Sequence, residues 1–150
     1  METHIGVGIG KYIEEKISNA QNNIFISSPR MTSSLVKKLI NYSKKGIKIK
    51  IITSEPVLEK HKDAIKIFQS EFTSKSYDVN FLEVKVVDAL QAALIHAKIF
   101  IIDDKCAIIG SANFTEDSFF DLPEYIIIHD DKSEVKQITN DFFYLWNKLF

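Results

Sequence analysis

Two apolar runs in the second half of the chain carry residues that do not belong in a core. His96 and Lys98 precede Ile99, Phe100, Ile101 and Ile102, Asp103 follows, and Gly110, Ser111 and Asn113 close the next run. Burying polar groups costs free energy unless they are paired or put to use. An imidazole can act as nucleophile or general acid, while an ammonium, a hydroxyl and a carboxamide are donors suited to phosphate oxygens. Together they describe phosphoryl transfer in which fixed donors, rather than a metal ion, hold the anion. The plainer account has His96 and Asn113 satisfying each other in the core while Lys98 reaches out to water. Four coincident polar positions weigh against it.

The elements that must position these groups are two strands, residues 94–102 and 106–109, joined as a hairpin around Asp103, Asp104 and Lys105. Strand alternation puts His96 and Lys98 on one face. A two-residue turn at Asp104 and Lys105 would set His96 opposite Asn113 and Lys98 opposite Ser111, with Cβ atoms about 5 Å apart. Asp103 falls at the turn, too far along the strand to touch a substrate held by His96. Its expected role is structural support or an ion pair.

Around that hairpin the pattern is legible. Ile9, Ile13, Ile17 and Ala20 form a helical stripe, and residues 22–28 read as a strand stopped by Pro29. Leu35, Val36, Leu39, Ile40 and Tyr42 give a second helix, ended by Lys44, Lys45 and Gly46. Strand 47–53, helix 57–72, strand 81–87 and strand 124–128 follow. Val135, Ile138, Phe142, Leu145, Trp146 and Leu149 mark an amphipathic helix over 133–150. Strand, helix, strand within about thirty residues indicates a parallel crossover and an α/β class.

Composition narrows the classes further. The chain has 150 residues, 45% hydrophobic and 26% charged, which is globular usage and excludes a disordered tail, a collagenous repeat or a coiled-coil rod. One domain over 1–150 is expected, with no room for two catalytic lobes. No apolar run approaches the roughly 18 to 20 residues that cross a bilayer, and the first residues lack the basic flank of a secretion signal. The expectation is a cytoplasmic protein that does not engage a membrane. Cys106 is the sole cysteine, so neither an internal disulfide nor a cysteine-rich zinc site is possible.

The net charge of −1 conceals an asymmetry. Residues 1–75 carry 13 Lys and Arg against 7 Asp and Glu, and residues 76–150 carry 6 against 13. Lys37, Lys38, Lys44, Lys45, Lys48 and Lys50 could track a polyanion, or simply solvate helix faces. Arg30, in the turn after strand 22–28, is a candidate for the mouth of the site.

Three further motifs fail. Gly6, Gly8 and Gly10 before Lys11 imitate a phosphate-binding loop, but no strand is expected ahead of them and the spacing is wrong. His61 lies among Glu59, Lys60, Lys62 and Asp63 and reads as part of a solvated helix face. His129, Asp130 and Asp131 stand at a strand end without a further ligand at useful spacing. No metal and no cofactor is expected.

The histidine, any residue, lysine pattern with its following aspartate and the trailing glycine-serine-alanine-asparagine resembles the signature of the phospholipase D superfamily, completely over residues 96–113 and more weakly in strand order elsewhere. The resemblance implies a mixed, largely parallel sheet with helices on both faces. It also implies that two motifs meet across a twofold axis. His4, His61 and His129 are not followed by a lysine two positions on, so the second motif is expected from a second copy, in a homodimer. On this resemblance His96 of one subunit attacks phosphorus while His96 of the other protonates the leaving oxygen, and Lys98, Asn113 and Ser111 hold the nonbridging oxygens. Gly110 is expected to support the site structurally. Glu124 corresponds to an acid that fixes the histidine's tautomer, although Leu122 and Pro123 depart from the family's usual asparagine just ahead of it.

Short one-motif members resemble nonspecific endonucleases, so a metal-independent phosphodiesterase acting on DNA or RNA is the leading expectation. A phospholipid or other small phosphodiester hydrolase is the second, and a dimeric DNA-binding or partner-binding module with little turnover is the third.

Overall fold

Runs rich in isoleucine extend because branching at Cβ suits a pleated, buried surface, and the stripes between them coil. The computed structural model describes residues 1–73, 81–88 and 95–149. The strands are β1 (Glu2–Gly6), β2 (Asn23–Ser27), β3 (Lys48–Ser54), β4 (Leu82–Val87), β5 (Ile99–Ile102), β6 (Cys106–Gly110) and β7 (Glu124–His129). The helices are α1 (Gly10–Ser18), α2 (Ser33–Lys44), α3 (Glu59–Thr73) and α4 (Lys132–Lys148), and a π-helical turn spans Asp117–Asp121. Leu94 and Phe150, which the sequence assigned to a strand and a helix, lie outside the described residues.

All seven strands form one sheet in the order β1-β7-β6-β5-β2-β3-β4. The class is α/β and the sheet mixed, as expected, but it is not largely parallel. β2–β3 and β3–β4 are parallel, whereas β1–β7, β2–β5, β5–β6 and β6–β7 are antiparallel. The tight turn at 103–105 cannot make a parallel crossover, which needs about a dozen residues or more. β5 therefore runs back against β2, and every later neighbour follows in the antiparallel sense.

Each sheet face is covered. Ile24, Ile26, Ile49, Ile51, Phe100 and Ile108 face α1, α2 and α3, packing with Ile13, Leu35, Leu39 and Phe68. Phe25, Ile52, Ile101 and Ala107 point the other way, onto Val135, Phe142 and Trp146 of α4. Helices on both faces were the expectation. α4 begins at Asp131, whose carboxylate accepts from the amides of Ser133 and Glu134 at 3.0 and 3.1 Å. The Ser133 hydroxyl, with those amides, holds this carboxyl below the ordinary carboxylate range.

β1 is the element the sequence hid. Its Glu-Thr-His-Ile-Gly run has one strong apolar residue, and it extends because it pairs with β7, Ile5 against Tyr125 and Gly6 against Glu124. A strand therefore does precede Gly6, Gly8 and Gly10, contrary to expectation. Gly10 nevertheless has a packing reason: a Cβ there would lie 2.3 Å from Cβ of Phe119 in the π-helical turn.

Candidate active site

The hairpin that carries the site turns through two left-handed residues, Asp103 at φ 57° and Asp104 at φ 56°. Short polar side chains tolerate that region best. Ile102 pairs with Cys106 and Ile99 with Ile109, one residue away from the predicted register. Asp103 lies in the turn, as expected, but the turn takes in Asp103, Asp104 and Lys105 rather than Asp104 and Lys105 alone. A slip of one would oppose Lys98 to Gly110 rather than Ser111.

The ladder also ends at Ile99, so His96 and Lys98 are not strand residues as predicted. The buried Ser27 hydroxyl donates to the carbonyl of Ala97 at 2.9 Å, and the chain peels away from β2 beyond that point. Strand alternation therefore does not bring these side chains together, and loops do so instead.

They converge at one end of the sheet, beyond the C-terminal ends of β2 and β3. A cavity of about 500 Å³ is lined by His96, Lys98, Asn113, Arg30, His61 and the 54–58 loop. A second, of about 230 Å³, is lined by Lys98, Asn113, Ser111, Glu124, Arg30, Lys60 and His61. Lys98, Asn113 and Arg30 border both, so the two are compartments of one open cleft.

Within it Lys98 Nζ donates to the His96 carbonyl at 3.1 Å and lies 3.2 Å from His96 Nδ1. An ammonium has no lone pair, so Nδ1 accepts and the proton of the neutral ring sits on Nε2. Asn113 has its backbone amide on the Ser118 hydroxyl at 3.2 Å. Its buried Oδ1 has no partner among the described residues, an arrangement that is costly unless something fills it.

Ser111 and Glu124 are placed differently from His96. The Ser111 hydroxyl accepts from the Tyr125 amide at 2.9 Å, and its own amide donates to the Tyr125 carbonyl at 3.0 Å. It thereby pins the loop after β6 to β7. Glu124 opens β7 and lines the second compartment but not the one with His96. A Cβ at Gly110 would meet the Tyr125 carbonyl oxygen at 2.1 Å, so only glycine allows β6 and β7 to close here. Asp103 sits at the far end of β5 from Lys98. Its carboxylate accepts from the amides of Gln21, Asn22 and Asn23 at 2.9, 2.7 and 3.0 Å, tying the hairpin to the start of β2.

His61 overturns its reading as part of a solvated face: it is 3% exposed. Its Nδ1 accepts from the Met31 amide at 3.0 Å and its Nε2 donates to the Ser54 carbonyl at 2.7 Å. Its spacing from Ala64, Ile65 and Phe68 was the signal that it belonged to the buried stripe. Ser28, wholly buried, was missed as well. Its hydroxyl accepts from the Phe114 amide at 2.9 Å and donates to the Arg30 carbonyl at 2.6 Å, coupling the turn that bears Arg30 to the loop that bears Asn113.

The six lysines singled out as a polyanion track line neither compartment. Lys38, Lys44 and Lys50 pair with Glu14, Glu71 and Glu83 instead. The cations of the cleft are Arg30, Lys60 and Lys98. Val57, 83% exposed, and Leu58 stand on its rim, exposed apolar surface that the sequence reading did not anticipate. Cys106 lies elsewhere, and burial pushes its thiol up, which favours the unreactive form. Among the described residues no helix is long and apolar enough to cross a membrane.

Known proteins share this fold. NucT from Helicobacter pylori superposes with a TM-score of 0.74 at 18% identity, covering 99% of this chain and 97% of that one. Nuc from Salmonella typhimurium, a phospholipase D family member, gives 0.75 at 17% identity, covering 99% and 96%. A Rickettsia prowazekii protein named phospholipase D is 26% identical over 137 residues, 91% of this chain and 62% of its own length. This chain thus spans less than two thirds of that relative. The family described as cardiolipin synthase, phospholipase D-like domain, matches residues 13–146. With a single histidine-lysine motif on a fold shared with Nuc and NucT, the chain belongs to the phospholipase D-like family, within a superfamily of phosphodiesterases.

Proposed function

We propose that the cleft cleaves phosphodiesters of nucleic acid without a metal ion, through a phosphohistidine formed in a homodimer. The observation that carries this reading is the meeting of His96, Lys98 and Asn113 in one open compartment with Arg30 at its mouth.

Nε2 of His96 attacks phosphorus while the P–O bond to the leaving group breaks, and that oxygen takes a proton from the partner's His96. Water then attacks the phosphohistidine, returning a proton to the partner ring and releasing His96. Lys98 and Asn113 hold the nonbridging oxygens as charge builds, with Ser111 and Arg30 at the edges. The contact of Lys98 with Nδ1 leaves the neutral ring protonated at Nε2; to serve as the acid the partner ring must also take a proton at Nδ1, becoming an imidazolium, with Lys98 turned to the phosphate. The attacking copy needs the opposite tautomer, with Lys98 drawn to the phosphate and Nδ1–H given to a carboxylate, for which Glu124 is the candidate.

Self-association has a surface to use. Of ten exposed large apolar side chains among the described residues, five are Ile5, Val7, Phe120, Leu122 and Tyr125. The β1–β7 pairing brings Ile5 beside Tyr125, next to Glu124. Exposed apolar side chains gathered in this way are unusual on a solitary protein, and a second copy could meet them face to face.

Val57 and Leu58 on the rim, together with the relative's name, favour a second reading: a phospholipid or small phosphodiester as substrate. Purified protein and His96→Ala, incubated in EDTA with DNA, RNA and phosphatidylcholine vesicles, separate the two. Cleavage of nucleic acid that survives chelation and is lost in the variant supports the first reading, and lipid turnover alone supports the second. DNA binding without products would instead make the chain a binding module.

A further inference from the structure

The buried His61 ring joins three segments that no strand pairing connects there. Nδ1 accepts the Met31 amide, Nε2 donates to the Ser54 carbonyl, and the ring lines both compartments of the cleft. Both nitrogens are spent on backbone groups. His61 is therefore unsuited to proton transfer, although it borders the same space as His96. The Met31 amide it holds follows Arg30 directly, and Met31 pairs with Phe114, the residue after Asn113.

We propose that His61 is a positioning residue that clamps the Pro29–Arg30–Met31 turn, so that Arg30 is presented to the substrate anion at the cleft mouth. The proposal rests on the cleft being the phosphodiester site, and it assigns His61 to substrate affinity rather than to bond breaking. The physical reason is economy of conformations. Arg30 is exposed and its backbone turn is held by three side chains, Ser28 on the Arg30 carbonyl, His61 on the Met31 amide and, at a longer 3.4 Å, Thr53 on the Pro29 carbonyl. Removing one leaves a buried donor and a buried acceptor unpaired, and the turn must shift to find water.

The test compares wild type, His61→Leu, His61→Gln, Arg30→Ala and the Arg30→Ala/His61→Leu double variant. Glutamine can offer an acceptor to Met31 and a donor to Ser54, whereas leucine offers neither. Amide hydrogen exchange at Met31, read by NMR, reports the clamp independently of function. Affinity for a short fluorescent oligothymidylate in EDTA reports its consequence. His61→Leu should lose Met31 protection and raise Kd roughly tenfold, the scale of one lost polar contact, with glutamine restoring both. The leucine change should add nothing where Arg30 is already alanine. Met31 protection unaltered in His61→Leu overturns the proposal, as does an undiminished penalty in the Arg30→Ala background. If wild type fails to bind the oligonucleotide, the nucleic-acid reading fails, and Met31 exchange alone still decides the clamp. Should His61→Leu unfold, His61→Gln keeps the proposal testable: Met31 protection and Kd retained together or lost together support it, and weakened binding with Met31 protection intact overturns it.

Discussion

Lys98 touches both the carbonyl and Nδ1 of His96, so its charge acts on the imidazole as well as on whatever anion enters the cleft. Lys98→Met should lower kcat by about 10²–10³, the usual loss for one fixed donor to a transition-state oxygen, with a smaller change in KM. Steady-state kinetics on a defined diester check it, and a pure KM effect would reassign Lys98 to ground-state binding. At this scale the sequence was most informative. The residue types of His96, Lys98 and Asn113 announced their chemistry because polar groups among isoleucines are conspicuous. The route by which they meet was not legible, since it depends on Ser27 capturing the Ala97 carbonyl and on two left-handed aspartates in the turn. Nor was His61, whose charged neighbours masked its helical spacing from Ala64 and Phe68.

Elements hold the site by close approach at two glycines and by one carboxylate. Gly110→Ala puts a methyl 2.1 Å from the Tyr125 carbonyl oxygen, and overpacking of that kind costs about 1–3 kcal/mol or more. Urea denaturation should show a lower midpoint with an unchanged slope. Asp103→Ala removes the acceptor of three backbone amides and substitutes a residue poorly suited to φ 57°. A loss on the order of 3 kcal/mol is expected, with kcat retained in the folded fraction. A collapse of kcat without loss of stability would make Asp103 part of the chemistry. Acid should weaken the start of α4, because the Asp131 carboxyl is held low in the folded state. That contribution is full above the ordinary carboxylate range and fades as pH falls through the lowered folded value. Asp131→Asn, which can still cap the helix, should remove this part of the pH dependence of Tm. Helices and parallel strands were readable from periodicity. β1 and the π-helical turn were not, because pairing with β7 and packing of Phe119 on Gly10, rather than local preference, create them.

At the scale of the whole molecule, one histidine-lysine motif per chain requires a second copy if two imidazoles are to flank one phosphorus. The exposed apolar side chains Ile5, Phe120, Leu122 and Tyr125 mark where a copy would pack. Tyr125→Arg should convert a dimer into a monomer in sedimentation and remove activity while leaving the melting of the monomer fold near that of wild type. A dimer that survives the change would move the interface elsewhere. The near-neutral net charge of −1 concealed which cations matter, because ion pairing on α2 and β3 occupies several lysines and the cleft draws on Arg30, Lys60 and Lys98 instead.

The most direct measurement is mass spectrometry of the protein rapidly denatured at alkaline pH during turnover of an oligonucleotide in EDTA, with peptide mapping of any covalent adduct. A phosphoramidate-linked nucleotide on His96, absent from His96→Ala, is expected. Cleavage at the wild-type rate by His96→Ala, or an adduct mapped to another residue, would contradict it.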